Sequence, residues 1–189
     1  MYYSAIGVLA VLILFIVNYD ILFQRQLSFG KPAWHVYRRF LFAVLAYFVA
    51  DILWGILESR KLANLLFADT TLYFVAMAAG VSFWAEFAIA YLDEKSSFGQ
   101  ALVLAGRIIA GLIALLAVAN IFTPVLFTVD ADSVYRALPV RYVILAAQIL
   151  LLVTISFHAL SSMPKKGSAP EKRLRYQILA SFGNIMAIL

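Results

Sequence analysis

Four ionisable residues stand out within long apolar runs of the sequence: Asp51, Glu86, Arg107 and His158. Ionisable groups inside a membrane span cost about 2.5–3.5 kcal/mol on insertion scales, so they normally face other helices and pair there. Glu86 stands six residues before the end of its run, and Arg107 six residues after the start of the next. At about 1.5 Å per residue, both lie roughly 9 Å inside the same end of two consecutive helices. The sequence therefore predicts an ion pair between Glu86 and Arg107, with His158 at a similar depth.

Two roles are open for this predicted pair. It either locks two helices together, with Arg107 reaching toward the lipid headgroups, or it acts as a switch that responds to a signal, since intramembrane charges are candidates for function. Small residues at a spacing of four, Gly106, Ala110 and Ala114, predict close packing of the helix that carries Arg107.

A second chemical pattern surrounds Asp51. Together with Trp54, Gly55 and Glu58 it follows the i, i+3, i+4, i+7 spacing of one helical face. This polar and aromatic face either lines a pocket that opens to the outside or packs against another helix. We take Asp51, Trp54 and Glu58 as candidate ligand or signal residues.

The connection from Asn120 to Tyr142 is long for a link between two helices. It mixes aromatic side chains with charged ones, and loops on a rigid scaffold often carry recognition. Asp130, Tyr135 and Arg136 are therefore further candidates for ligand or signal binding. The alternative is a structured loop that caps the bundle.

The sequence contains no pattern typical of catalysis. There are no cysteines, which excludes disulfides and thiolate metal sites. Gly-rich phosphate loops, two-histidine metal spacings and nucleophile elbows are also missing. We predict no catalytic residues, no metal site and no cofactor.

The elements that must position these residues are helices in a lipid bilayer. Of 189 residues, 65% are hydrophobic and 13% charged, against about half and a quarter in soluble domains. Because a span needs about 20 mostly apolar residues, five runs qualify: Tyr3–Phe23, Arg39–Leu57, Thr70–Leu92, Ala101–Phe122 and Arg141–Met163. The predicted fold is all-α, a polytopic transmembrane bundle over residues 1–189 with the lipid bilayer as its partner.

A sixth run begins at Tyr176 and reaches Leu189, roughly two-thirds of a span. A helix that ended there would leave carbonyls without partners in hydrocarbon. We therefore expect this chain to be the front part of a longer protein that continues after residue 189. The alternative is that this run is a re-entrant or interfacial stub.

Basic residues predict the orientation. Ten Lys and Arg residues fall in the first, third and fifth connections, and four in the second and fourth. Since basic residues favour the cytoplasmic side, the N-terminus is expected outside. The net charge of +5 is then a matter of topology, and no nucleic-acid partner is expected.

A spaced set of residues runs through the Asn120–Tyr142 connection: Asn120, Phe122, Thr123, Pro124, Phe127, Asp130, Tyr135, Arg136 and Pro139. It resembles a pattern in the N-terminal membrane regions of bacterial GGDEF-domain proteins, approximately N-x-x-T-P-x-x-F-x-x-D-x-x-x-x-Y-x-R-G-P. The strings Asp51-Ile-Leu-Trp54-Gly55-Ile-Leu-Glu58, Tyr73-Phe74 through Trp84, and Tyr91-Leu92 are also similar to those regions. The likeness covers most of residues 38 to 142.

This resemblance implies a sensor of about seven helices in the bacterial inner membrane. It implies that the chain controls a C-terminal diguanylate cyclase, which makes cyclic di-GMP from GTP, in response to a small-molecule or lipid signal. An output of this type implies a homodimer. Three other functions stay open from the residues: an input domain of a histidine kinase, a small transporter or channel, and a membrane-embedded enzyme that acts on lipid.

Overall fold

The computed structural model describes residues 2–23, 32–92, 96–162, 173–174, 176–181 and 183. The described chain is mostly helical. Its elements, in chain order, are α1 (Tyr2–Val17), α2 (Tyr19–Phe23), α3 (Pro32–Ser59), α4 (Ala63–Tyr91), α5 (Ser97–Phe122), β1 (Phe127–Val129), β2 (Tyr135–Ala137) and α6 (Pro139–Ser161).

Four helices in the described part of the chain are long and apolar enough to cross a membrane. They are Ala33–Ser59, Ala63–Tyr91, Ser97–Phe122 and Pro139–Ser161, with mean hydropathies from 1.6 to 2.5. They correspond to the second, third, fourth and fifth predicted runs. Helices α3 and α4 begin seven residues earlier than the apolar runs, and these added segments mix apolar residues with polar ones, such as His35 and Arg38 in α3 and Asn64 and Asp69 in α4. These helices support the prediction of a helical membrane bundle.

The structure differs from the prediction in the first span, Tyr3–Phe23. Instead of one helix over Tyr3–Phe23, the chain forms α1 and the five-residue α2, divided at Asn18. The Asn18 side chain donates to the Leu14 carbonyl at 3.1 Å and accepts from the Tyr37 hydroxyl at 3.0 Å. Asparagine favours such local and tertiary hydrogen bonds over a regular helix interior. The apolar part of α1 is therefore shorter than the four long helices.

Parts of the sequence predictions lie outside the described residues. The fifth run ends at Met163, and its last described residue is Ser162. Of the predicted sixth run, Tyr176 and its helical neighbours are described, whereas residues 184–189 are not. Most basic residues of the first, third and fifth connections also lie outside, and Arg38 and Arg39 belong to α3.

Helix α4 is the central element of the bundle. Its most apolar stretch is 61% buried, whereas the corresponding stretches of α3, α5 and α6 are 17%, 28% and 39% buried. It packs most extensively against α3 and next against α5, and it also touches α6 and β1. Side chains on α4 therefore reach every other long helix.

The contact between α4 and α5 is close because Gly106 has no side chain. A Cβ atom at this position would lie 3.3 Å from the Cβ of Ala85 and 3.4 Å from the Cα of Ser82. Such backbone proximity is typical of small-residue interfaces between membrane helices. The predicted small-residue stripe thus lies at a helix interface at Gly106.

The connection between α5 and α6 contains a feature that the all-α prediction did not include. Strands β1 and β2 form an antiparallel hairpin in which Phe127 pairs with Ala137 and Val129 with Tyr135. The hairpin and the α3–α4 connection lie at one end of the bundle, which we call the hairpin end. The α4–α5 connection and the end of α6 lie at the other, which we call the opposite end.

Candidate functional site

A cavity of about 300 Å³ lies at the hairpin end. Four separate elements contribute to its walls: α3, α4, β2 and α6. The lining side chains are Asp51, Trp54, Thr70, Tyr73, Phe74, Tyr135 and Arg141. A concave site with aromatic walls and a few polar groups is the usual form of a small-molecule site.

Helical periodicity explains why these residues share the cavity. Asp51 and Trp54 are three residues apart on α3, so both point to one face of that helix. Thr70, Tyr73 and Phe74 follow the i, i+3, i+4 spacing on α4 and likewise form one face. The two faces meet because α3 and α4 are joined by a tight turn in which Lys61 has a φ of 54°.

Asn120 fixes the start of the loop that supplies Tyr135. This residue is the last buried position of α5 and only 3% exposed. Its Oδ1 accepts from the backbone N–H groups of Val125 and Leu126, both at 2.7 Å, and its Nδ2 donates to the Phe127 carbonyl at 3.1 Å. One side chain thereby satisfies backbone groups that would otherwise be buried without partners.

Phe127 anchors the hairpin in the core. It is fully buried and stacks on Phe74 of α4, with ring centres 5.7 Å apart and planes within 13°. Its ring also contacts Phe67 at 5.1 Å and Tyr135 at 5.8 Å. The hairpin is therefore held against α4, and its second strand faces the cavity.

Asp130 holds the turn of the hairpin. Its Oδ1 accepts from the backbone N–H of Asp132 at 3.0 Å and of Val134 at 2.9 Å. Ser133, in the same turn, has a φ of 63°. An aspartate that accepts from residues two and four ahead stabilises such a turn locally.

Tyr135 lies where β2 meets the two helices. Its hydroxyl accepts a hydrogen bond of 2.6 Å from Nη1 of Arg141, and its ring packs edge-on against Trp54 at 6.2 Å. Burial raises the pKa of Tyr135 above its ordinary value of 10.0, and the positive charge of Arg141 opposes part of that rise. Tyr135 is consequently a neutral phenol at physiological pH.

Arg141 is the cation of the cavity. Its guanidinium carbon lies 5.4 Å from the centre of the Tyr135 ring and 5.8 Å from that of Phe74, close enough for cation–π attraction. In the described part of the chain it forms no ion pair with a carboxylate. Aromatic faces and one phenol oxygen are therefore its described partners.

The acidic wall of the cavity comes from α3, with a second carboxylate nearby on α4. Asp51 is partly exposed and, among the described residues, has neither a hydrogen bond nor an ion pair. Asp69 on α4 is 7% exposed and close enough for its charge to interact with that of Asp51. Beside them, the hydroxyls of Tyr47 and Tyr73 share a hydrogen bond of 3.1 Å.

The structure brings three of the six predicted ligand residues together. Asp51, Trp54 and Tyr135 line the cavity. The other three do not line it, and all three are exposed: Glu58 near the end of α3, Asp130 in the turn and Arg136 on β2.

Sequence reasoning missed Thr70, Tyr73, Phe74 and Arg141 as cavity residues. Arg141 is one of the four basic residues counted above in the second and fourth connections. Pro139 carried a usable signal, because proline favours the first turn of a helix. That signal places Arg141 on the first turn of α6, directly beside the candidate loop.

A second, smaller cleft of about 250 Å³ lies toward the opposite end and contains Glu86 and Arg107. Their side chains are 2.6 Å apart, measured from Arg107 Nε to Glu86 Oε1. The Arg107 side chain is 62% exposed and that of Glu86 15%. His158 is buried, and its ring packs edge-on against Phe98 at 5.0 Å.

Comparison of the chain with models of protein families, with curated proteins and with solved structures gives no match. The resemblance to GGDEF-associated membrane regions therefore stays a prediction. Within the described residues, no group of three His, Asp or Glu side chains is placed to hold a metal ion.

Proposed function

We propose that this chain is the membrane-embedded sensory module of a bacterial signalling protein and that the cavity at the hairpin end receives its signal. The observation that supports this proposal is the composition of the cavity wall. Four elements that are separate in the chain meet there, and each supplies at least one lining side chain. A ligand that touches all four stabilises one relative placement of them, and this is the requirement for a conformational signal.

Helix α4 offers a route from the cavity to the opposite end. Tyr73 lines the cavity and Glu86 forms the ion pair with Arg107, thirteen residues further along the same helix. At about 1.5 Å per residue this is about 20 Å. In this proposal, a small rotation or shift of α4 changes the geometry of the Glu86–Arg107 pair.

Helix α6 offers a second route. It begins beside the cavity with Arg141 and ends near His158 at the opposite end. The chain then continues to the helical residues around Tyr176, whose neighbours Leu179 and Ala180 are buried. We place the opposite end in the cytoplasm and the hairpin end outside, in line with the distribution of basic residues.

The output belongs to the same proposal. The resemblance to GGDEF-associated regions points to a cytoplasmic diguanylate cyclase, active as a homodimer in the inner membrane. The test measures cyclic di-GMP in extracts of bacterial cells that produce the protein from its complete gene. We expect Trp54→Ala and Arg141→Gln to change the cyclic di-GMP level several-fold at equal amounts of protein in the membrane fraction.

A matched pair of exposed residues supplies the control. Arg60→Gln and Asp132→Asn change charges at the same end of the bundle but outside the cavity, and they should leave the level unaltered. Equal cyclic di-GMP in wild type and both cavity variants would refute the sensory role of this cavity. Solute uptake by vesicles reconstituted with the purified protein would instead favour a transporter.

A further inference from the structure

We propose that the cavity at the hairpin end binds a small zwitterion, with its ammonium group at Asp51 and its acidic group at Arg141. This inference rests on the proposed function, because it names the chemical class of the ligand for that same cavity. The shared chemistry is one positive and one negative group on a single small molecule or headgroup. The placement of the two charges, the wall between them and the size of the space support it.

Opposite charges line this cavity without neutralising each other. Asp51 comes from α3 and Arg141 from α6. Neither forms an ion pair with a described residue. A charge in a region of low dielectric is costly unless it is paired. A molecule that carries both complementary charges offsets both costs at once, whereas a simple cation or anion offsets one.

Asp51 and Arg141 are too far apart to form an ion pair with each other. Nevertheless Tyr73 lines one cavity together with both of them. Both side chains line the same cavity of about 300 Å³, so one small molecule that has separated charged groups can reach both.

Arg141 has unused hydrogen-bonding capacity among the described residues. A guanidinium carries five N–H donors in a planar fork that suits carboxylate and phosphate oxygens. Among the described residues, Arg141 uses one hydrogen bond, to the Tyr135 hydroxyl. That bond and the two aromatic faces orient the fork, and the remaining donors are available to an acidic group.

The acidic wall suits an ammonium group in the same way. Asp51 accepts no hydrogen bond from a described residue, and the charge of Asp69 lies close to it. The rings of Trp54 and Tyr73 line the same cavity and add attraction for a cation. The volume of about 300 Å³ is at the lower end of small-ligand sites, which favours a molecule the size of an amino acid or a lipid headgroup.

The test uses three probes that share one apolar group and differ in charge: phenylalanine, phenethylamine and 3-phenylpropionate. The full chain is placed in nanodiscs of anionic phosphatidylglycerol, and binding is followed by tryptophan fluorescence, since Trp54 lines the cavity. We expect phenylalanine to bind at least tenfold more tightly than either singly charged probe. Equal binding of all three, or preference for a singly charged probe, would overturn the zwitterion inference.

Two substitutions assign the charges to the residues. Asp51→Asn should remove most of the preference for phenylalanine over phenylpropionate and keep its preference over phenethylamine. Arg141→Gln should remove most of the preference for phenylalanine over phenethylamine and keep its preference over phenylpropionate. Asp132→Asn and Arg60→Gln are the matched controls, because both residues are exposed outside the cavity. The comparison of the three probes on the unchanged protein does not depend on whether a variant folds.

A second arm separates a free ligand from a lipid headgroup. Phosphatidylethanolamine carries an ammonium and a phosphate, and it is titrated into the phosphatidylglycerol nanodiscs without phenylalanine. Saturation by this lipid, lost in both cavity variants, supports a headgroup, and saturation by phenylalanine alone supports a free zwitterion. If neither binds, the inference is wrong.

The cyclic di-GMP measurement distinguishes this failure from a failure of the proposed function. If the cavity variants still change the level while no zwitterion binds, the cavity is a signal site for another class of ligand. If neither effect is seen, the sensory role of the cavity fails as well.

Discussion

Arg141 on α6 donates a 2.6 Å hydrogen bond to the hydroxyl of Tyr135 on β2. The bond joins the hairpin to the first turn of a long helix, and both residues line the same cavity. Because this bond connects the hairpin to the first turn of α6, it fixes the position of the hairpin over the bundle. The bond therefore links the stability of the hairpin to the shape of the site.

Tyr135→Phe removes the acceptor of this bond. Because the donor is a guanidinium and the site is half-buried, we expect the free energy of unfolding to fall by about 1.5 kcal/mol. This value is at the lower end of the range for hydrogen bonds to charged groups. Thermal unfolding of the purified protein in detergent measures the change. Tyr142→Phe is the matched control, since Tyr142 is 61% exposed. A midpoint for Tyr135→Phe equal to that of the control would show that the bond contributes nothing.

The ionisation of Tyr135 predicts a pH dependence. Burial raises its pKa in the folded state above 10.0, so above that pH the folded protein holds a proton that the unfolded chain releases. The associated stability is fully present below the unfolded pKa and is lost as the pH rises through the folded pKa. We therefore expect the stability difference between wild type and Tyr135→Phe to be constant from pH 7 to 9 and to decrease above about 10. A difference that increased above pH 10 would contradict the raised pKa.

Asn120→Ala tests the anchor of the hairpin. The substitution removes the side-chain partner of several buried backbone groups, each worth roughly 1–3 kcal/mol when left unsatisfied. We expect the free energy of unfolding to fall by about 3 kcal/mol and proteolysis between residues 123 and 138 to become faster. Asn64→Ala, at an exposed position of α4, is the control. Equal proteolysis of the two variants would mean that Asn120 does not hold the loop.

Gly106→Leu tests the close contact of α4 and α5. The Cβ of the new side chain would lie 3.3 Å from the Cβ of Ala85 and 3.4 Å from the Cα of Ser82. Overpacking of this kind lowers the free energy of unfolding by about 1–3 kcal/mol. At Gly111, on the same helix, a Cβ would meet nothing within 4 Å. Gly111→Leu should therefore be neutral or slightly stabilising, because leucine favours helix more than glycine does. Equal unfolding midpoints for the two variants would argue against this helix packing.

A double-mutant cycle separates the two roles of the Glu86–Arg107 pair. Polar contacts between membrane helices are coupled by about 0.6 kcal/mol on average, and we expect a coupling energy of about that size between Glu86 and Arg107 in unfolding experiments. If the pair is a switch, Glu86→Gln and Arg107→Gln should nevertheless change cyclic di-GMP several-fold. Altered stability with unaltered output would leave the pair a structural lock.

The apolar runs alone determined the helical class of this protein, because a long stretch without charges has few alternatives to a helix in lipid. Helical periodicity also placed Asp51 and Trp54 on one face. Glu86 and Arg107 are each six residues from the connected ends of two consecutive apolar runs, and this equal depth predicted that they would meet. These inferences use spacing within one helix or between consecutive helices, and such distances are encoded locally.

The composition of the cavity was decided by tertiary structure. Arg141 is 90 residues from Asp51 in the chain, and only the packing of α6 and the hairpin over α3 and α4 brings their side chains to one space. The hairpin itself depends on Asn120 and Phe127, whose partners lie across the loop and on α4. Contacts between segments that are distant in the chain leave no regular spacing of residues in the sequence from which they could be predicted. For the same reason the polar interruption at Asn18 became visible only when its partner Tyr37 was in place.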